Sequence, residues 1–377
     1  MRIISIVLAL VLLLSGCIRL REHEYVVVEP HDEGYEVAVD TGKLSVDSYL
    51  SLKNALLNLI EDGVQEGVIL AKGYSGNLAE DLGEAVYEVS QGDPLGAFAV
   101  EYMTYDYSKI VSYYEIRVHI TFRRTEEEID SIVYLSDEDS IPGLVNQTLK
   151  DLSDVLCFRV SDYHEMDYAK IVEEISGEYP GLLMAMPEVT AKTYPETGSQ
   201  RIVELAFDYP YKTDSMLSFR DQLSGKVHLI SELYGSDLSE LTTARRFYDR
   251  LIRDGELILE PQESIDNTAY SAVMLSEATS YGYAQAFRML LQERELPCQV
   301  VTGTRNGLNH SWCLVVLEGK EYYIDPALGV EEPDTDWFLL GTTELLALGY
   351  ESDDTSLPYV ELLPTEKSSQ FIDPYAP

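Results

Sequence analysis

The chain has 377 residues, 45% of them hydrophobic and 25% charged; that supports sizeable cores in two or three domains and argues against general disorder. Its 66 acidic and 27 basic residues give a net charge of −39, a field that repels nucleic acid and anionic lipid headgroups and so argues against a nucleic-acid role. The same field suits a solvated acidic surface or a cationic partner.

Met1-Arg2 is a short positive start. The twelve residues from Ile3 to Leu14 are apolar apart from Ser5, a run too short for an ordinary membrane-spanning helix. It leads into Leu14-Ser15-Gly16-Cys17, which resembles the bacterial lipobox. Residues 1–17 are therefore expected to be a lipoprotein signal peptide. The resemblance implies that Cys17 is acylated and becomes the first mature residue, anchoring the chain by lipid to the outside of the bacterial cell membrane. An ordinary signal peptide with an incidental cysteine is the alternative.

Residues 18–43 are polar and acidic and read as a tether, with a first strand near Tyr35–Val39. From there the periodicity predicts a helix over Leu50–Ile60, a strand over Val68–Tyr74 and a helix over Leu78–Val89. After the break at Gly92-Asp93-Pro94, strands are expected over Phe98–Tyr105 and Tyr113–Phe122, the latter from alternating Ile116, Val118, Ile120 and Phe122. A similar order recurs: strand Val155–Val160, helix Tyr168–Ile175, a break at Glu178-Tyr179-Pro180, then strands Leu182–Thr193 and Arg201–Tyr209. Pro94 and Pro180 are 86 residues apart (180 − 94), and Phe122 and Phe207 are 85 apart (207 − 122). Residues 44–225 are thus read as two α+β repeats that pack together because neither buries its sheet alone. Leu217 to Ser224 is a hinge candidate, followed by helices Val227–Leu233 and Leu241–Arg253.

Within the region assigned to residues 226–350, YAQAFRMLLQ from Tyr283 places Ala284, Phe287, Leu290 and Leu291 on one helical face. CQVVTG is a short β-branched run, and WCLVVLEGKEYYID reads as strand, turn, strand. Ser280 then stands at a helix start, His310 at the head of one strand and Asp325 at the end of the next. A nucleophile, a base and an orienting carboxylate on three elements form a catalytic triad order. Gly282-Tyr283-Ala284, Phe287, Pro297, Val301, Gly303, His310, Trp312, Tyr323 and Asp325-Pro326 together resemble the transglutaminase-like (papain-like) domain of bacterial secreted and surface proteins. Trp337-Phe338-Leu339-Leu340 resembles that family's next strand. The resemblance implies an α+β, papain-like transglutaminase fold preceded by the two repeats, with residues 351–377 as a surface-lying or loose tail.

Ser280 occupies the position of the family's nucleophilic cysteine, and Ser276 and Glu277 stand where the family has glycine and lysine. A thiol ionises beside a histidine, whereas a hydroxyl is a far weaker acid that must lose its proton during attack. The leading expectation is therefore a pseudoenzyme whose cleft binds peptide or cell-wall material. The alternatives are a serine acyl transferase or amide hydrolase using Ser280, His310 and Asp325, and an assembly scaffold. Tyr281 is expected to wall off or line the cleft.

Beyond Cys17, the cysteines Cys157, Cys298 and Cys313 have no CxxC or His-rich spacing, so no metal is indicated and no cofactor is implied. An oxidising exterior permits a Cys298–Cys313 disulfide; Cys298 also matches a buried strand cysteine common in the family. Strand alternation points Cys313 away from His310. The 27 tyrosines offer either cross-strand packing pairs or a face for stacking on sugars and peptides. The acidic runs Asp137–Asp139 and Glu331–Asp336 lack the EF-hand pattern and read as solvated loops.

Overall fold

The computed structural model describes residues 44–235 and 238–361. Cys17, the strand expected near Tyr35–Val39 and the tail from residue 362 lie outside the described residues.

The first repeat runs β1 (Leu44–Val46), α1 (Tyr49–Glu61), β2 (Glu66–Lys72), α2 (Leu78–Tyr87), α3 (Pro94–Ala99), β3 (Val100–Ile110) and β4 (Tyr113–Phe122). After α4 (Glu126–Asp130), the second runs β5 (Val133–Tyr134), α5 (Ile141–Asp151), β6 (Val155–Val160), α6 (Tyr168–Glu178), β7 (Glu188–Tyr194) and β8 (Arg201–Asp208). The sheets have matching orders, β1-β2-β4-β3 and β5-β6-β8-β7. In each, the first pair is parallel and the other two antiparallel. Ile116, Val118 and Ile120 fill the first core, and Val203, Leu205 and Phe207 fill the second. Strand register therefore matches Phe207 to Ile120 rather than to Phe122.

Other sequence expectations shift for local reasons. The strand expected from Phe98 begins at Val100, because Asp93 caps a helical turn, accepting from the amides of Leu95 (2.8 Å) and Gly96 (3.4 Å) with Pro94 in the first turn. The strand expected from Leu182 begins at Glu188. Leu182 to Ala185 are buried without being strand; the Leu182 carbonyl instead accepts from Arg220 Nε at 2.7 Å. Helix α5 is additional to the expected elements; its Pro142 stands in the first helical turn, where proline is tolerated.

The repeats are locked by a partly buried polar cluster. Arg124 reaches Glu204 at 2.6 Å and Tyr194 at 3.2 Å, and its guanidinium lies 4.6 Å from the Phe98 ring centre. Cys157 and Ile202 of the second sheet join the first core, and burial pushes the Cys157 thiol up to about 11. Two acidic runs read as solvated loops also make specific contacts. Glu138 accepts from the His164 amide and lies 2.9 Å from its Nδ1, while Asp336 pairs with Arg245 at 2.9 Å. Of the tyrosines, Tyr107 and Tyr114 form an edge-on pair across β3 and β4.

The hinge expected over Leu217–Ser224 lies inside α7 (Thr213–Gly235), which carries Met216, Leu223, Val227 and Ile230 into buried surroundings without interruption. Next come α8 (Glu240–Ile252), the two-residue parallel pair β9 (Glu256–Leu257) and β10 (Glu277–Ala278), and α9 (Ser280–Gln292). Then follow β11 (Cys298–Arg305), β12 (Leu308–Leu317), β13 (Lys320–Ile324), α10 (Pro326–Glu331), α11 (Thr342–Ala347) and β14 (Tyr350–Ser352). The third sheet is antiparallel, ordered β13-β12-β11-β14, with α9 packed on it. Trp337 to Leu340 form one bridge to Tyr323 rather than a strand, because Leu339 has φ +59° and leaves the extended conformation.

Two helical glycines test this architecture. A Cβ on Gly96 would lie 1.8 Å from the Val89 carbonyl oxygen, whereas one on Gly225, inside α7, meets nothing within 4 Å. Urea unfolding should show Gly96→Ala losing about 3 kcal/mol. Gly225→Ala should gain about 0.5–1 kcal/mol, an outcome a flexible hinge at this point would not give.

Candidate functional site

Helix α9 begins at Ser280 because Thr279 caps it: the threonine hydroxyl accepts from the Gly282 amide (3.3 Å) and is held by Asn267 Oδ1 (2.8 Å). Gly282 is required there, since a Cβ would lie 2.8 Å from the Ala278 side chain and 3.0 Å from the Thr268 carbonyl. Upstream, Ser276 has φ +62°, the left-handed conformation that suits the glycine of the family pattern. Tyr283 is fully buried; its hydroxyl accepts from the Glu256 amide and donates toward the Ser276 carbonyl, each at 3.1 Å. Burial pushes this phenol up to about 12.

His310 lies on β12 opposite Gly303 of β11 and stacks near Trp312. Its Nε2 is 2.6 Å from Asp325 Oδ2, with the histidine side chain 9% exposed and the aspartate 0%. Asp325 ends the β13 segment and caps α10, its Oδ1 accepting from the Leu328 amide at 2.9 Å. Oδ2 also accepts from the Tyr350 hydroxyl at 2.6 Å. Burial, and then Asp325, drive the Tyr350 phenol far above its ordinary range, so it remains a donor.

The structure thus joins His310 and Asp325. Ser280 is close by but differently engaged: its Oγ accepts from the backbone amide of Ser311 at 3.1 Å. Among the described residues no hydrogen bond joins Ser280 to His310. Cys313 turns the other way, its thiol donating to the Ala284 carbonyl at 3.5 Å; burial, and then Cys298, raise it well above the usual thiol range. Cys298 and Cys313 are both free thiols.

Tyr281 faces away from His310 and Asp325. Successive helical residues point about 100° apart, which turns Tyr281 from Ser280's side toward the second repeat. Its hydroxyl accepts from Gln285 at 2.7 Å and lies against Gly177 at the end of α6, whose carbonyl takes Arg288 at 2.8 Å. Three contributors escaped the sequence reading: Asn267, the Ser311 amide and Tyr350. Tyr350 is one tyrosine among 27 with no local motif around it; only strand pairing brings it to the site.

No family model and no curated protein matches the chain. Three solved structures are similar to parts of it. One, described as a TGase, is 12% identical over 55% of this chain and 61% of its own, with a TM-score of 0.27. A proposed cysteine protease from Cytophaga hutchinsonii is 12% identical over 47% of this chain and 79% of its own, at 0.26. A proposed protease from Parabacteroides distasonis is 8% identical over 68% of this chain and 39% of its own, at 0.23. The α+β, papain-like arrangement rests on the chain's own geometry: a helix headed by residue 280, packed on an antiparallel sheet that carries His310 and leads into Asp325.

Asp325 is a fully buried carboxylate held by three donors, so removing it strands all three. Asp325→Ala should lower stability by about 3–5 kcal/mol in urea unfolding. Asp325→Asn, which still offers one carbonyl oxygen, should fall between Ala and the unaltered chain.

Proposed function

We propose that this chain is an extracytoplasmic lipoprotein, held at the bacterial cell membrane by lipid on Cys17, whose transglutaminase-like domain binds peptide or cell-wall-associated material without turning it over. One observation carries the catalytic part of this reading: Ser280 Oγ takes a hydrogen bond from the Ser311 amide and makes none to His310. A serine nucleophile needs a base within about 2.6–3.2 Å of its hydroxyl. A cysteine would need less, because the N-terminus of the thirteen-residue helix α9 and a neighbouring histidine both favour a thiolate. The anchoring part rests on the lipobox-like Leu14-Ser15-Gly16-Cys17.

A second reading, acyl transfer or amide hydrolysis through Ser280, is favoured by the His310–Asp325 contact of 2.6 Å, an arrangement that orients a base. Fluorophosphonate labelling of residues 18–377, located by peptide mass spectrometry, separates the two. The binding reading expects no label at Ser280. It also expects Ser280→Cys to yield a thiol alkylated near pH 6 at least about tenfold faster than an unperturbed cysteine. A label at Ser280 that disappears in His310→Ala would establish the serine enzyme instead.

A further inference from the structure

We propose that Tyr350 is a positioning residue of this site: by sharing the carboxylate oxygen that holds His310, it fixes the imidazole's orientation and lowers its basicity. The inference rests on reading Ser280, His310 and Asp325 as the domain's site, but not on whether that site is catalytic. Its basis is geometric. Asp325 Oδ2 takes His310 Nε2 and the Tyr350 hydroxyl, both at 2.6 Å, while Oδ1 is held by the Leu328 amide at 2.9 Å.

With both oxygens pinned from different directions, the carboxylate cannot rotate, and the histidine must present Nε2 to it. That leaves Nδ1 as the nitrogen free to serve a reacting or binding group. Two donors on one oxygen also divide its charge. The phenol therefore weakens the carboxylate's hold on an imidazolium.

The fold delivers Tyr350 by a narrow route. Strand β14 is three residues long and pairs with β11 through Arg305–Tyr350 and Gly303–Ser352. Gly303 permits this approach, since a Cβ there would lie 2.1 Å from the Glu351 carbonyl oxygen. The same glycine faces His310 on its other side. Tyr350 is 3% exposed and packs edge-on to Trp312, with ring centres 5.0 Å apart. The charged and titratable groups around the trio are Arg305, whose guanidinium is 5.9 Å from the Tyr350 ring centre, Glu332, paired with Arg305 at 3.6 Å, and the buried Tyr248 and Cys313.

The test is a histidine NMR titration of the intact chain, with the His310 signals assigned through His310→Gln. Tyr350→Phe should raise the His310 midpoint by about one pH unit, because Asp325 then gives its charge to one partner. In the Asp325→Asn background the same exchange should move it by less than about 0.3 unit, since no carboxylate remains to be shared. An unchanged or lower midpoint in Tyr350→Phe, or an equal shift in both backgrounds, would overturn the proposal. If Tyr350→Phe does not fold, a site-specific fluorotyrosine at position 350, a stronger donor, should lower the midpoint; no movement or a rise would count against it. The titration requires no turnover, so its failure is distinct from failure of the functional reading.

Discussion

A carboxylate with no exposed surface, Asp325, lies where the end of β13, the start of α10, strand β12 and strand β14 meet. Burying such a charge is unfavourable by several kcal/mol unless hydrogen bonds replace its water. Here the replacements come from the Leu328 amide, the His310 ring and the Tyr350 hydroxyl. The position of each donor depends on a different piece of the domain. The carboxylate therefore ties the terminal strand to the central hairpin and sets the imidazole relative to the start of α9. Arrangement of the site and stability of the third sheet are two consequences of one interaction.

The upstream repeats solve a similar problem with different chemistry. Each has one sheet face covered by its own helices, leaving the other face open. The second sheet packs part of that face onto the first repeat through Phe98, Tyr194 and the Arg124–Glu204 pair. Helix α7 then runs on into the third core without a break. Tyr281 and Arg288 add contacts from α9 to Gly177. The repeats thus support the helix on which Ser280 sits, and a flexible tether between the two halves is absent from the described residues.

Much of this was legible locally. Alternation in Tyr113–Phe122, the helical stripe of Leu52, Leu56, Leu59 and Ile60, and the run from Ser280 to Leu291 each place apolar residues at the period of the element they form. The elements that carry Ser280, His310 and Asp325 could be read from residue type and spacing, because a helix start and two neighbouring strands lie close in the chain. The errors came where a local signal had two meanings. The apolar run at Phe98 continues a capped helical turn before its strand begins, and the apolar run at Leu182 signalled burial rather than a strand.

The amino-acid sequence by itself determined the α+β class, the repeat order and the identity of the residues at positions 280, 310 and 325, because propensity, periodicity and side-chain chemistry are properties of short segments. Tertiary structure alone decided which partner each residue meets. Ser280 binds the Ser311 amide instead of His310, Tyr281 faces the second repeat, and Tyr350 reaches Asp325 across 25 residues. Those outcomes depend on strand register and on the angle at which α9 packs, and such non-local distances are not encoded in any one stretch of the chain.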